Sequence, residues 1–190
     1  MLETLLVSTA VVALGEIGDK TQLLTLMLAV RFRKPWPIVA GILVATLANH
    51  TIAGVIGNWV RAVVPPGVLP WLLALSFFAV AAWVLKPDRL EQDNVGQSSR
   101  LGVFAVTMVA FFLAEMGDKT QIATVVLAAR FDSLAAVVVG TTLGMMIVNI
   151  PTAFAGHLAA DRVPLKSVRI VAAALFAALG VWVLIAGTPG

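Results

Sequence analysis

The sequence has no cysteine and few charged residues. Only 12% of its 190 residues are Asp, Glu, Lys or Arg, against roughly 25% in an ordinary soluble domain. The lack of cysteine excludes disulfides, thiolate metal sites and thiol catalysis. The motif G-x-x-x-x-G-K-[ST] is also missing, so the sequence gives no indication of a nucleotide partner or of ATP as an energy source. The low charge excludes a water-soluble globule.

Long apolar runs take up most of the chain. Apolar residues make up 60% of it, and several runs reach the ~20 residues that a helix needs to cross a bilayer. The six runs cover residues 4–30, 37–60, 68–85, 101–129, 134–159 and 168–186. The first run is longer than the apolar part of a signal peptide, so we expect it to stay in the mature protein. The sequence predicts an all-α polytopic membrane protein with six transmembrane helices in one membrane domain, residues 1–190.

The basic residues indicate how the chain is oriented. They lie at the ends of the runs rather than in one patch, which favours a lipid bilayer over a nucleic acid as the partner. One side of the predicted membrane carries Arg31, Arg33, Lys34, Lys86, Arg89, Arg100, Arg162, Lys166 and Arg169, and the other carries Arg61 and Arg130. Because the basic side is normally cytoplasmic, both termini are predicted to be periplasmic.

The chain repeats itself after 99 residues. The segment 16–32 (EIGDKTQLLTLMLAVRF) aligns with 115–131 (EMGDKTQIATVVLAARF), with 11 of 17 positions identical. The same shift places Gly41 on Gly140 and Trp83 on Trp182. We predict two three-helix repeats, residues 1–86 and 101–190, joined by a cytoplasmic linker at 87–100. Because three is an odd number, corresponding helices would cross the membrane in opposite directions, as in many secondary transporters.

Six ionisable side chains fall near the middle of apolar runs. They are Glu16, Asp19, Lys20, Glu115, Asp118 and Lys119. Six unpaired groups at that depth would cost on the order of 18 kcal/mol, so they must face one another. In a continuous helix the three groups of one repeat would share one face. Each repeated segment is longer than a bilayer core, so a tilt or a break is expected.

The charge of this cluster favours a divalent cation. Four carboxylates and two ammonium groups leave a net charge of −2, which one divalent cation or two protons would neutralise. Oxygen ligands favour hard cations such as Mn²⁺, Ca²⁺ or Mg²⁺. The predicted ligands are Glu16, Asp19, Gln22, Glu115, Asp118 and Gln121, and Lys20 and Lys119 balance the charge. We expect the hydroxyls of Thr21 and Thr120 to bond the carbonyl one turn back rather than the cation.

Other polar and small residues lie close to this cluster along the chain. Asn49 and Asn149 are predicted to bind the cation or hold its ligands, with interhelical hydrogen bonds as the alternative. Gly18 and Gly117 either allow close helix packing or loosen the helix so that carbonyls become free. His50 is a candidate proton relay because its ordinary pKa lies near neutrality, although the second half has no histidine at the equivalent place.

The two copies of E-φ-G-D-K-T, Glu16–Thr21 and Glu115–Thr120, closely resemble the signature of the Gdt-type cation/proton exchanger family. That family includes Golgi manganese and calcium transporters and bacterial manganese exporters of the MneA type. The resemblance implies export of Mn²⁺, or in some members Ca²⁺, in exchange for protons, without a resident cofactor. It also implies that the acidic pairs form the cation site and that the lysines and threonines complete the signature. The short chain resembles the bacterial members, which implies the bacterial inner membrane.

Three alternatives to a cation/proton exchanger remain open. A related six-helix protein could export a small organic cation or an amino acid, although the dense carboxylates favour an inorganic ion. A cation channel is a second alternative, but an inverted repeat favours binding and release over open conduction. An intramembrane aspartyl hydrolase is the most remote, because two neighbouring lysines would keep both aspartates ionised, whereas a catalytic dyad needs one protonated. The sequence therefore predicts a transporter and not an enzyme.

Overall fold

The computed structural model describes residues 1–86, 102–155 and 165–186. Within these ranges the regular structure is entirely α-helical, which confirms the predicted all-α class. The eight helices are α1 (Leu2–Glu16), α2 (Lys20–Phe32), α3 (Pro35–Val63), α4 (Leu69–Val84), α5 (Val103–Glu115), α6 (Lys119–Arg130), α7 (Leu134–Ala155) and α8 (Leu165–Ala186).

Two of the predicted spans are each broken into two helices. The chain leaves the helix after Glu16 and again after Glu115, and in both places a new helix begins four residues later. Gly18 and Gly117 adopt φ values of 77° and 74°, a left-handed conformation that glycine tolerates without steric cost. The six predicted spans are therefore not six single helices, and the tilt or break expected from the length of each repeated segment is a break at the glycine of each motif.

The remaining four spans each form one helix. α3, α7 and the segment Arg169–Ala186 of α8 are long and apolar enough to cross a membrane, and α4 and α5 are shorter apolar helices. Large apolar side chains such as Trp59, Trp71 and Ile185 lie exposed on the outside, as expected where the surroundings are lipid. The predicted linker 87–100 and residues 156–159 of the fifth span lie outside the described residues.

The two halves pack against each other through matched glycines. α1 packs along α7 and α5 packs along α3. A Cβ added to Gly140 would lie 2.7 Å from the carbonyl oxygen of Leu5, and one added to Gly41 would lie 2.8 Å from that of Phe104. Both residues of the second contact differ by 99 from those of the first. The same close approach of backbones is therefore made twice.

The contacts also give the direction of these helices. Along α1 and α7, Leu5 lies at Gly140, Thr9 lies at Gly144, and Glu16 contacts Asn149. Residue numbers rise together on both helices, so α1 and α7 run parallel. In the same way Gly41 lies at Phe104 and Asn49 reaches Phe112, so α3 and α5 run parallel too. α7 therefore brings Asn149 to the end of α1, and α3 brings Asn49 to the end of α5.

Candidate cation site

The site lies where the two breaks meet in the interior. Glu16 and Glu115 end α1 and α5, while Asp19 and Asp118 begin α2 and α6 as their N-caps. All four carboxylates are buried, with at most 1% of any of them exposed. Buried charges are costly unless they are paired or bind a cation, so their partners decide what the site can do.

Each aspartate forms an ion pair with the lysine of the other half. Lys20 Nζ lies 2.9 Å from Asp118 Oδ1, and Lys119 Nζ pairs with Asp19 Oδ1. The prediction that the charged groups of one repeat share one helical face is therefore wrong. The break turns each lysine away from the acids of its own repeat and towards the other repeat.

Three of the four predicted acidic ligands come together. Glu16, Asp19 and Glu115 each offer a carboxylate oxygen, and these oxygens all lie within 4.8 Å of one another. If each pair of these oxygens lay the full 4.8 Å apart, a cation at the centre of the triangle would lie about 2.8 Å from each of them, near the 2.3–2.6 Å typical of Ca²⁺. Asp118 is not part of this triangle, and its Oδ1 faces Lys20.

Two threonines hold the glutamates in place. Thr21 Oγ1 donates to Glu16 Oε1, and Thr120 Oγ1 donates to Glu115 Oε2 at 2.8 Å. The prediction that these hydroxyls bond a carbonyl one turn back is therefore wrong. Both residues stand at the second position of a helix, where no preceding turn supplies that carbonyl.

The two glutamines close the breaks rather than reaching the carboxylates. Gln22 Oε1 accepts a hydrogen bond of 2.7 Å from the backbone nitrogen of Gly18, and Gln121 Oε1 accepts an identical one from Gly117. Each amide oxygen thereby satisfies a donor that the end of a helix leaves without an intrahelical partner. Cation ligation by Gln22 and Gln121 stays a prediction.

The two asparagines have different surroundings. Asn149 Nδ2 donates to Glu16 Oε1 at 3.3 Å, while its Oδ1 lies 2.6 Å from Thr25 Oγ1. Asn149 is thus positioned to hold Glu16. Asn49 Nδ2 instead donates to the carbonyl of Phe112 at 3.0 Å, so within the described part of the chain it makes an interhelical bond and none to a carboxylate.

His50 is fully buried on α3 next to Asn49. Within the described ranges neither of its ring nitrogens has a hydrogen-bond partner. The shift of 99 residues places His50, and not Asn49, at the position equivalent to Asn149. The role of His50 as a proton relay stays a prediction.

Two kinds of residue near the site were not predicted. Thr25 and Thr124 are buried and differ by 99, and each hydroxyl bonds the carbonyl of the signature threonine, at 3.0 Å and 2.8 Å. The repeat contained the signal that would have found them. Arg169 on α8 reaches the carbonyl of Gly18 at 3.5 Å. No repeat marks Arg169, and its charge indicated only a position near a membrane surface.

The comparison with known families agrees with this geometry. The family described as "Divalent cation/proton antiporter GDT1" matches residues 4–92 and 103–190, so it covers both repeats. The chain belongs to the GDT1 family. The resemblance carried by the two E-φ-G-D-K-T motifs is thereby confirmed.

Individual relatives of this GDT1-family chain differ widely in similarity. A "Putative manganese exporter" of Vibrio cholerae is 49% identical over 177 residues, which are 93% of this chain and 88% of that protein. A GDT1-like protein of Synechocystis is 26% identical over 196 residues, covering 93% and 94% of the two chains. "GDT1-like protein 3" of Oryza sativa subsp. indica is 23% identical over 202 residues, covering 93% and 71%. No solved structure matches the chain.

The breaks give a GDT1-family antiporter the electrostatics of a cation site. α1 and α5 end at Glu16 and Glu115, where their dipoles are negative, whereas Asp19 and Asp118 lie at the positive ends of α2 and α6. The three carboxylates of the triangle repel one another when all are ionised and no cation lies between them. A divalent cation removes this repulsion, and so do protons on the carboxylates. The arrangement can therefore exchange one for the other.

Proposed function

We propose that this chain exports Mn²⁺ from the cytoplasm in exchange for protons across a bacterial inner membrane. The observation that carries the proposal is the buried triangle of Glu16, Asp19 and Glu115 oxygens, formed by residues of both halves. The name of the Vibrio cholerae relative, which shares 49% of its aligned residues with this chain, favours Mn²⁺. Ca²⁺ is the second candidate, because the same oxygen ligands suit it.

The proposed membrane arrangement is six spans in two inverted halves, residues 1–86 and 101–190, with both termini periplasmic. The broken pairs α1–α2 and α5–α6 each form one span. In this arrangement α1 and α7 both run inwards and α3 and α5 both run outwards. The parallel packing of these two pairs supports it, and so does the excess of basic residues on the cytoplasmic side.

The exchange follows from charge balance. Glu16, Asp19, Glu115 and Asp118, with Lys20 and Lys119, have a net charge of −2. One divalent cation balances the charge of these six groups on the outward step. On the return step, two protons on the carboxylates do the same. Lys20 and Lys119 keep the aspartates ionised and in position during both steps. Because cation and protons neutralise the same groups, the site holds one or the other, which is what exchange requires.

The geometry couples ion release to movement of the halves. Glu16 and Asp19 belong to the first repeat and Glu115 to the second, so a relative movement of the repeats separates the three oxygens. The same movement pulls on the ion pairs Lys20–Asp118 and Lys119–Asp19, which also join the repeats. We propose that rocking of the broken helices against each other opens the site to one side at a time.

The site disfavours the alternative functions. A hydrolytic dyad needs two aspartates that share a proton, but here each aspartate is ion-paired to a lysine. A channel needs weak binding along an open path, whereas the carboxylate triangle is buried. A small organic cation or an amino acid needs more room than three oxygens within 4.8 Å of one another provide.

Uptake of Mn²⁺ and Ca²⁺ into inverted membrane vesicles with an acidic lumen tests the proposal. We expect saturable Mn²⁺ uptake that collapses when the pH gradient is dissipated. Glu16→Gln should abolish it, because the substitution removes one of the three charged oxygens. Glu3→Gln is the matched control, since Glu3 lies exposed in the first turn of α1, and it should transport like the wild type. Uptake of neither ion by correctly inserted wild-type protein would overturn the proposal.

A further inference from the structure

One arginine reaches the site from outside the repeated motifs. Arg169 lies near the beginning of α8, and its Nη2 is 3.5 Å from the carbonyl oxygen of Gly18. Gly18 has left-handed backbone geometry directly after the end of α1, so its carbonyl stands outside the helical hydrogen-bond ladder. A guanidinium that donates to this carbonyl makes a charge-assisted hydrogen bond, which is stronger than one between neutral groups.

The contact distinguishes the two breaks. The shift of 99 residues places Pro70 at the position of Arg169 in the first half, so the repeat supplies no second arginine. At the other break, a Cβ added to Gly117 would meet no atom within 4 Å among the described parts of the chain. The first break is therefore held by a charged side chain from α8, and no residue of the described ranges fills the space beside the glycine of the second break.

Arg169 also changes the charge of the site. Its contact with the Gly18 carbonyl places it one residue from Asp19 along the backbone, and Asp19 in turn pairs with Lys119. A guanidinium stays protonated in proteins, so Arg169 adds a permanent positive charge. With it, the fully ionised site has a net charge of −1 rather than −2. A bound divalent cation then leaves an excess positive charge, which favours its release.

We propose that Arg169 is a positioning residue that holds the Gly18 break and, through its charge, weakens cation binding so that the cation can leave. The inference rests on the proposed function and deepens it, because it assigns the release step to a residue outside the signature. Two consequences follow. Loss of the charge should tighten cation binding, and it should slow turnover in the same variant.

The experiment compares Arg169→Gln, Arg169→Lys and the control Arg31→Gln in the Mn²⁺ uptake assay. Arg31 is exposed at the end of α2, so its variant removes an equal charge away from the breaks. We expect Arg169→Gln to lower KM for Mn²⁺ by about threefold or more and to lower kcat as well, because the removed charge opposed the cation. Arg169→Lys keeps the charge and should keep a KM near that of the wild type.

Calorimetric titration of the purified proteins with Mn²⁺ gives a second readout that needs no transport. We expect a lower Kd for Arg169→Gln than for the wild type, Arg169→Lys and Arg31→Gln. The inference is overturned if KM and Kd of Arg169→Gln are unchanged or higher, or if the Gln and Lys variants change them by the same factor. A wild type that binds Mn²⁺ without transporting it overturns the proposed function, while the Kd comparison still decides the role of Arg169.

Discussion

Lys20 of the first repeat forms an ion pair with Asp118 of the second, with 2.9 Å between Nζ and Oδ1. The equivalent pair, Lys119 with Asp19, joins the repeats in the opposite sense. Two ion pairs, each between a lysine of one repeat and an aspartate of the other, therefore join the halves at the level of the carboxylates. They differ in exposure, because 27% of the Lys20 side chain is exposed but only 4% of the Lys119 side chain.

This difference predicts unequal costs for removing the two lysines. Lys119→Met leaves a fully buried Asp19 without its ion pair, which should lower the free energy of unfolding by about 3–5 kcal/mol. Lys20→Met should cost less, because water partly screens that pair. Thermal unfolding of the purified variants in detergent measures both. The double variant Lys119→Met with Asp19→Asn should regain stability but not transport. Equal losses of unfolding free energy in the two single lysine variants would contradict the prediction.

Thr25→Val tests how Asn149 is held against Glu16. The substitution removes the hydroxyl that lies 2.6 Å from Asn149 Oδ1 and leaves this buried oxygen without that donor. We expect a loss of about 1–3 kcal/mol in stability and a higher KM for Mn²⁺. Thr51→Val is the control, because Thr51 is exposed and donates only to the carbonyl of Leu47. A KM that responds equally to both substitutions would show that Asn149 is not held by Thr25.

Gly117→Ala isolates the conformational requirement of the break. Its added methyl group would meet no atom of the described residues within 4 Å, so we attribute the expected loss of stability to the φ of 74°. We expect about 1 kcal/mol of destabilisation and slower Mn²⁺ transport. Gly67→Ala has equal space and no left-handed φ, so it should change neither quantity. Unaltered stability of Gly117→Ala would mean that the left-handed turn is not needed.

Gly140→Ala tests the close approach of α1 and α7. The new Cβ would lie 2.7 Å from a backbone oxygen, so α1 must move and Glu16 with it. We expect about 1–3 kcal/mol of destabilisation and weaker Mn²⁺ binding by calorimetry. The control Gly180→Ala crowds the Phe78 ring at 2.9 Å, away from the site. It should lower stability without changing the Kd, and a Kd change of the same size there would argue against a specific effect.

The fate of the signature residues shows how far the sequence could predict the site. Burying unpaired charges in lipid is costly, so the sequence required the acids and lysines to meet. This prediction is confirmed, because the cost does not depend on how the helices are arranged. Which lysine meets which acid did depend on geometry. A regular helix put Lys20 beside Glu16 and Asp19, and only the left-handed turn at Gly18 redirects it to Asp118.

The residues around the site also differ in whether the sequence could have predicted them. Thr25 and Thr124 were visible in the repeat but lacked a charge to draw attention to them. Arg169 could not have been found, because its contact with Gly18 joins residues 151 positions apart and has no counterpart in the other half. Such a contact arises from the packing of α8 against the first repeat, and hydropathy carries no information about it.

The sequence by itself determined the helical class, the two-fold repetition and the four buried acids, Glu16, Asp19, Glu115 and Asp118. Composition and hydropathy are properties of the individual residues, so they can be determined without knowledge of the fold. The tertiary structure decided that the repeated helices break, that lysines pair across the halves, and that Glu16, Asp19 and Glu115 form the triangle without Asp118. These features depend on two backbone turns and on helices from different halves meeting, and only folding brings those together.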